Sequence, residues 1–161
     1  MLNSPAVAEL FERHHRALFR YAYRMTRRRD VAEDIVQETF ARVVRSVEHY
    51  EPRGRDLPWL FTIIRRLLLD QERTASRRPS LEPDVSDHSV DGQQELSAIL
   101  QQALDQLHPR EREAFLLREI GGLRYEEIAD VCATTVESVR SRIYRARLQL
   151  RSALSAGTQV K

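Results

Sequence analysis

Cysteine occurs once, at Cys132, so no disulfide can close within the chain, and a reducing compartment fits. The N-terminus has no apolar secretory core. The most apolar stretch, Trp59 to Leu69, is broken by Arg65 and Arg66 and is too short to span a bilayer. A cytoplasmic protein with no membrane insertion is therefore expected. Strand signals are missing, and no repeat with a period of about 20 to 50 residues is visible. There is no metal-ligand cluster, nucleophile motif or phosphate-cradling glycine loop. These absences argue against an enzyme, a metal site and a bound cofactor. His14 and His15 have no ligand partners at metal spacing, so they read as packed or surface histidines. Lysine is nearly missing too: of 26 basic residues only Lys161 is not arginine. Arginine's planar fork suits phosphate and carboxylate, whereas lysine is a point charge.

What is present is helical periodicity, in a chain of 161 residues with net charge +2. The most informative stretch is Leu123 to Arg151. A helix from Tyr125 to about Cys132 is followed by a turn at Ala133 and Thr134, and the Thr135 hydroxyl can cap the next helix. In that helix Val136, Val139, Ile143 and Leu150 form an inward stripe. The opposite side carries Glu137, Arg140, Ser141, Tyr144, Arg145 and Leu148. Arg140, Arg142, Arg145, Arg147 and Arg151 oppose only Glu137 within the helix, whereas a solvated face normally mixes signs. An apolar back, a basic and hydroxyl front and a short preceding helix make the helix-turn-helix pattern for the DNA major groove.

The rest of the chain supplies further amphipathic helices. Pro5 to Met25 places Val7, Leu10, Phe11, His14, Leu18, Tyr21 and Met25 on one face. Asp30 is expected to cap a second helix, with Glu33 completing a capping-box pair. There Ala32, Ile35, Val36, Phe40, Val43, Val44 and Val47 are expected inside. Asp34, Gln37, Glu38 and Ala41 gather outside, either as solvated surface or as a face for a basic protein partner. A loop from His49 to Leu57 exposes Arg53 and Arg55. Asp56 can cap the next helix, with Pro58 in its first turn. Trp59, Leu60, Ile63, Ile64, Leu67 and Leu68 form its apolar face, while Arg65, Arg66 and Arg73 project away as a phosphate track.

Arg77 to Gln94 is rich in Pro, Ser and Asp and reads as a linker, acidic over most of its length. Glu95 to Leu107 and Pro109 to about Ile120 follow as helices, the second stopped by Gly121 and Gly122. The expected fold class is all-α: two small helical domains joined by a flexible acidic linker, the second ending in the helix-turn-helix. The expected boundaries are 1–76, a linker over 77–94, and 95–161.

Three motifs in this order resemble the extracytoplasmic-function (ECF, group IV) sigma factors of bacterial RNA polymerase. Asp30 to Phe40 (DVAEDIVQETF) is similar to the family's region 2 helix. Pro58 to Asp70 (PWLFTIIRRLLLD) is similar to the run that follows it. Tyr125 to Ala129 (YEEIA) with Val139 to Arg147 (VRSRIYRAR) is similar to region 4. The resemblance implies an alternative sigma factor directing promoter-specific initiation. It implies that Asp34, Gln37 and Glu38 dock on the clamp helices of the largest polymerase subunit. It implies that Arg53, Arg55, Trp59, Arg65, Arg66 and Arg73 handle the minus-ten element and the melted strand. It places Arg140, Ser141, Arg142, Tyr144 and Arg145 on the minus-thirty-five element. It further implies a flap-tip contact, a linker in the RNA exit channel and an anti-sigma partner.

The chain departs from the family pattern at named positions. Arg66 stands where asparagine is usual, Cys132-Ala133 where Leu-Gly is usual, and Glu137 where a small residue is usual. The bend is therefore expected to hold a strained residue or to take a different path, and Glu137 to alter minus-thirty-five preference. Two other readings compete. A stand-alone helix-turn-helix regulator leaves the Asp34/Gln37/Glu38 face and the Trp59 helix without a role. A sigma-like protein that sequesters an anti-sigma factor has no need of the DNA-facing arginines.

Overall fold

The computed structural model describes residues 4–46, 55–75 and 92–159. Val47, Arg53 and the rest of the expected loop before Arg55, and the expected linker up to residue 91, lie outside the described residues. Seven α-helices and no strand occur among the described residues. No helix there is long and apolar enough to cross a membrane. The chain divides into two compact units, residues 1–84 and 85–161.

The first unit holds α1 (Ser4–Thr26), α2 (Arg29–Arg45) and α3 (Asp56–Ala75), each packed on the other two. Leu10, Leu18, Tyr21 and Ala22 of α1 meet Ala32, Ile35, Val36, Phe40 and Val43 of α2. Leu60, Phe61, Ile64 and Leu68 of α3 complete the core. Tyr21 and Phe61 meet edge to face at 5.2 Å, and Phe11 meets Phe40 the same way at 5.0 Å. Both geometries suit the aromatic quadrupole. Thr39 is buried without penalty, because its hydroxyl donates to the Ile35 carbonyl at 2.7 Å.

Three expectations for this unit change. Asp30 does not cap α2. The helix starts at Arg29, and the Arg28 carbonyl accepts the Ala32 N–H at 2.9 Å. Asp30 lies in the first turn, where the Arg28 guanidinium grips it at 2.8 Å. That bond, followed by the Val31 backbone, holds its pKa below the usual carboxylate range. The reason is the tight connection. Arg27 turns left-handed at φ 58°, and the Thr26 hydroxyl takes the Arg28 N–H at 3.2 Å, so α2 can begin one residue before Asp30. Asp56 is likewise the first residue of α3 instead of its cap, since the Arg55 carbonyl already accepts the Trp59 N–H at 3.3 Å. An acid there still suits the helix dipole. Val44 is 57% exposed, not inward. It lies about 100° around the helix from buried Val43, beyond the inward arc and two turns past Gln37.

The second unit holds α4 (Gly92–Asp105), α5 (Pro109–Glu119), α6 (Tyr125–Val131) and α7 (Val136–Gln159). Helix α4 thus begins before the expected Glu95. Helix α7 packs against α4, α5 and α6. Val139, Ile143, Ala146 and Leu150 of α7 are buried, as are Leu104, Leu107, Ala114, Leu116, Leu117, Leu123 and Ile128. Val136, expected inward, is half-buried. Arg112 clamps the end of α4 by donating to the carbonyls of Leu104 (2.8 Å), Asp105 (2.9 Å) and Leu107 (3.1 Å). The Leu104 carbonyl also accepts the Leu107 N–H at 3.1 Å, so the guanidinium adds to the satisfaction of the acceptors at this helix end. His108 caps α5 through Nδ1, which accepts the Arg110 N–H at 3.2 Å, and Pro109 opens the helix. Gly122 takes the left-handed position after α5 at φ 66°.

The bend of the helix-turn-helix is built as its sequence requires. Cys132 is the C-cap of α6 and is buried. Ala133 sits at φ 52°, the left-handed conformation expected of a residue replacing glycine. The Thr134 N–H returns to the Ala129 carbonyl at 2.9 Å. The Thr135 hydroxyl accepts the Ser138 N–H at 3.1 Å and so caps α7 as expected.

Candidate nucleic-acid interface

Helix α7 buries one stripe and offers the other. Arg140, Ser141, Tyr144 and Arg145 are exposed, Tyr144 to 68%, and Leu148 stands exposed beside them. Arg142 is different: it is half-buried at the edge of the stripe, facing the cleft beside α5. Glu137 is exposed in the first turn. Short α6 precedes this face, and the left-handed Ala133 lies in the turn between the two helices. A helix presented this way has the shape and the donors to enter a major groove.

A cleft of about 510 Å³ runs between the N-terminal ends of α5 and α7. His108, Arg110 and Glu111 line one wall, and Thr135, Glu137, Ser138, Ser141, Arg142 and Arg145 the other. Two carboxylates of α5 reach α7. Glu111 Oε1 lies 3.4 Å from Arg145 Nε, and Glu119 Oε1 lies 3.3 Å from Arg147 Nη2. Sequence reading missed both, because the partners are far apart in the chain. Arg118 Nη1 donates to the Leu123 carbonyl at 2.9 Å and its guanidinium lies over the Tyr125 ring at 5.5 Å, fixing the start of α6.

In the first unit α2 carries the acidic face. Asp34 and Gln37 are exposed and Glu38 is half-buried. Glu38 Oε1 accepts from Arg45 Nη2 at 2.8 Å and Arg42 Nε at 3.4 Å. The Arg45 bond, then the Arg42 bond, hold its pKa below the usual carboxylate range. Val44 adds an exposed apolar group to this side of α2. Arg55, just before α3, and Arg66 and Arg73 on it are exposed, while Trp59 is half-buried and Arg65, expected to project away, is half-buried too, at the edge of the apolar face. Arg73 pairs with Asp70 one turn earlier. Arg66 and Arg73 lie two turns apart on the exposed side of α3 with Asp70 between them, and the other side is core. No group of three or more potential metal ligands occurs among the described residues.

Comparison with known proteins covers both units. The Sigma-70 region 2 model matches residues 10–78, and the Sigma-70 region 4 model matches residues 97–150. The ECF RNA polymerase sigma factor SigE of Mycolicibacterium smegmatis is 40% identical over 161 residues, 94% of this chain. The chain spans 62% of that relative's length. The RNA polymerase sigma factor CarQ of Myxococcus xanthus is 36% identical over 156 residues, 92% of this chain and 89% of that protein. Among solved structures, the sigma factor RpoE in complex with the anti-sigma factor NepR, from Bartonella quintana, aligns with TM-score 0.75 and 27% identity, covering 92% of this chain and 96% of that one. CnrH in complex with the cytosolic domain of CnrY aligns with TM-score 0.76 and 27% identity, covering 96% and 90%.

Proposed function

This chain belongs to the ECF RNA polymerase sigma factors, and we propose that it directs core polymerase to its promoters by contacting both promoter elements. The observation that carries the proposal is the pairing of faces on one chain: an exposed Arg/Ser/Tyr face on α7 and an acidic face on α2. A DNA regulator needs the first alone. Residues 95–161 read the minus-thirty-five element through Arg140, Ser141, Tyr144 and Arg145, with Arg142 supporting from the cleft edge. Residues 1–76 dock on the clamp helices of the largest polymerase subunit through Asp34, Gln37 and Glu38. They hold the minus-ten element and the melted strand through Arg53, Arg55, Trp59, Arg65, Arg66 and Arg73. Residues 77–94 tether the two, and the second module also meets the flap tip. An anti-sigma factor that covers these faces fits the same reading, as does a non-enzymatic role in the cytoplasm.

The physics assigns different tasks to the two modules. Arginine–phosphate contacts release counterions, so affinity falls steeply with salt. Arginine forks on α7 can tell guanine from other bases by meeting two acceptors at once. Holding an unstacked base costs a few kcal/mol, roughly, for each base extruded. A small module has little surface with which to offset that cost, so polymerase must position it. The free chain therefore binds promoters weakly. Run-off transcription with core polymerase tests the proposal: adding this chain should produce new start sites at specific promoters. No new initiation, with tight promoter-selective binding by the free chain, would replace it with a stand-alone regulator.

A further inference from the structure

Two arginines of α7 are held by carboxylates of α5, and they are held differently. Glu119 meets Arg147 at Nη2, at the outer end of the guanidinium, and so occupies one of the groups that would address a base. Glu111 comes nearest to Arg145 at Nε, as an ion pair at 3.4 Å, so its charge lies on the inner side of the guanidinium and not at the outer end. The exposures agree with that geometry. The Glu111 side chain is only 14% exposed and lies behind, while Arg145 is 59% exposed and lies in front. A carboxylate so far buried needs a nearby cation, and Arg145 is within ion-pair distance. In return the arginine loses rotamer freedom before any DNA arrives, so less is lost on binding. Nothing in the composition of α7 reveals this, because the buttress comes from another helix.

We propose that Glu111 is a positioning residue for promoter readout: its charge draws the Arg145 guanidinium in from the Nε side so that the terminal N–H pair meets O6 and N7 of one guanine in the upstream element. The inference rests on the proposed function and adds a specificity determinant outside the recognition helix. Its chemistry is that of a buttressed fork. Guanine presents two acceptors side by side in the major groove, and a fork fixed in direction rejects bases with one acceptor or a donor there. Glu119 and Arg147 serve as the internal control, since that pair engages the outer end of its arginine.

The test uses the full chain with core polymerase on a promoter library randomised across the upstream element, read by sequencing transcripts. Arg145→Ala should abolish the guanine preference at one position. Glu111→Leu should lower that preference about fivefold at the same position and leave the others within about twofold. Glu111→Gln keeps the shape but removes the charge and should lower the preference at the same position, which also guards against misfolding of the leucine variant. Glu111→Leu combined with Arg145→Ala should do no more than Arg145→Ala alone. Glu119→Gln should leave the profile unchanged. An unchanged profile in both Glu111 variants, a loss spread evenly over all positions, or a uniform gain in output would overturn the inference. If the unaltered chain drives no promoter-specific initiation, the function reading fails and takes this inference with it. Failure confined to the Glu111 variants leaves the function reading standing.

Discussion

The charged face of α2 and the charged face of α7 are organised by different rules. On α2 the ion pairs are local: Arg29 with Glu33, and Glu38 with Arg42 and Arg45. On α7 they come from a different helix, Glu111 and Glu119 of α5. Local pairs among exposed side chains contribute little to stability, because water screens them, and they open readily. A face of that kind can exchange its partners for those of another protein. The α5 pairs tie α7 to its own unit. Under the proposed function, the difference suits one surface to docking and the other to discrimination.

The largest predicted effects separate those two tasks. Replacing Asp34, Gln37 and Glu38 together by alanine should reduce initiation at every promoter, on the order of a hundredfold, through lost polymerase binding. Replacing Arg140 with alanine should instead change which promoters are used, at a cost of about 1–3 kcal/mol per lost base contact. Titration of core polymerase against each variant, with transcripts from several promoters, reads both. Equal loss at all promoters for both variants would erase the contrast between the faces.

Next in size is Glu137. Its carboxylate stands exposed in the first turn of α7, within the cleft that also holds Arg142 and Arg145. It suits the helix dipole but repels an approaching phosphate. Glu137→Ala removes the charge without the helix penalty of glycine. It should tighten upstream-element binding severalfold and shift the preferred sequence. A sequence-selection profile identical to that of the unaltered chain would remove Glu137 as a determinant.

What could be read from the sequence follows the same division between local and distant. The helices, the Val139, Ile143 and Leu150 stripe, and the Thr135 cap were legible because each depends on residues one or two turns apart. The strain at Ala133 was one of two outcomes left open by the absence of glycine at the bend. Asp30 was misread because a capping pattern does not show whether the preceding turn lets the helix start earlier. Val44 was misread because an apolar run blurs the edge of the inward arc. Phe61 sits fully buried against Tyr21, yet no face of α3 was assigned to it, since only the packing of α1 across it defines that side as core. The Glu111–Arg145 contact was invisible for the same reason. The candidate docking and DNA-facing residues came from motifs, but which arginine is braced and which stands exposed is set by tertiary packing.

A smaller effect is predicted at the bend. Ala133 holds φ 52°, which costs roughly 1–2 kcal/mol for a residue with a Cβ. Ala133→Gly relieves that strain but loses about 0.5–1 kcal/mol through the entropy of the unfolded chain. The balance favours glycine by about 0.5 kcal/mol, which for a domain of this size raises Tm by about 2–4 °C. Calorimetry of the full chain should show the rise in the transition of the second unit and not the first. A fall in Tm would mean that the bend is set by packing around Cys132 and not by backbone preference.

The smallest effect belongs to the first unit and comes from pH. Burial holds the His14 pKa below its usual 6.5, against the pull of Asp56 and with a further push from Arg13. The folded unit therefore favours neutral His14, and the unfolded chain takes up the proton more readily. Stability contributed by this group is complete above about pH 6.5 and declines as pH falls towards the lower folded value. Asp30 and Glu38 titrate below their ordinary carboxylate values, so they remain ionised through this window. Melting curves between pH 5 and 7.5 should thus show the first unit losing stability on acidification while His14→Gln flattens that slope. The same slope in His14→Gln would assign it to another group. A slope of opposite sign would mean that Asp56, and not burial, dominates the surroundings of His14.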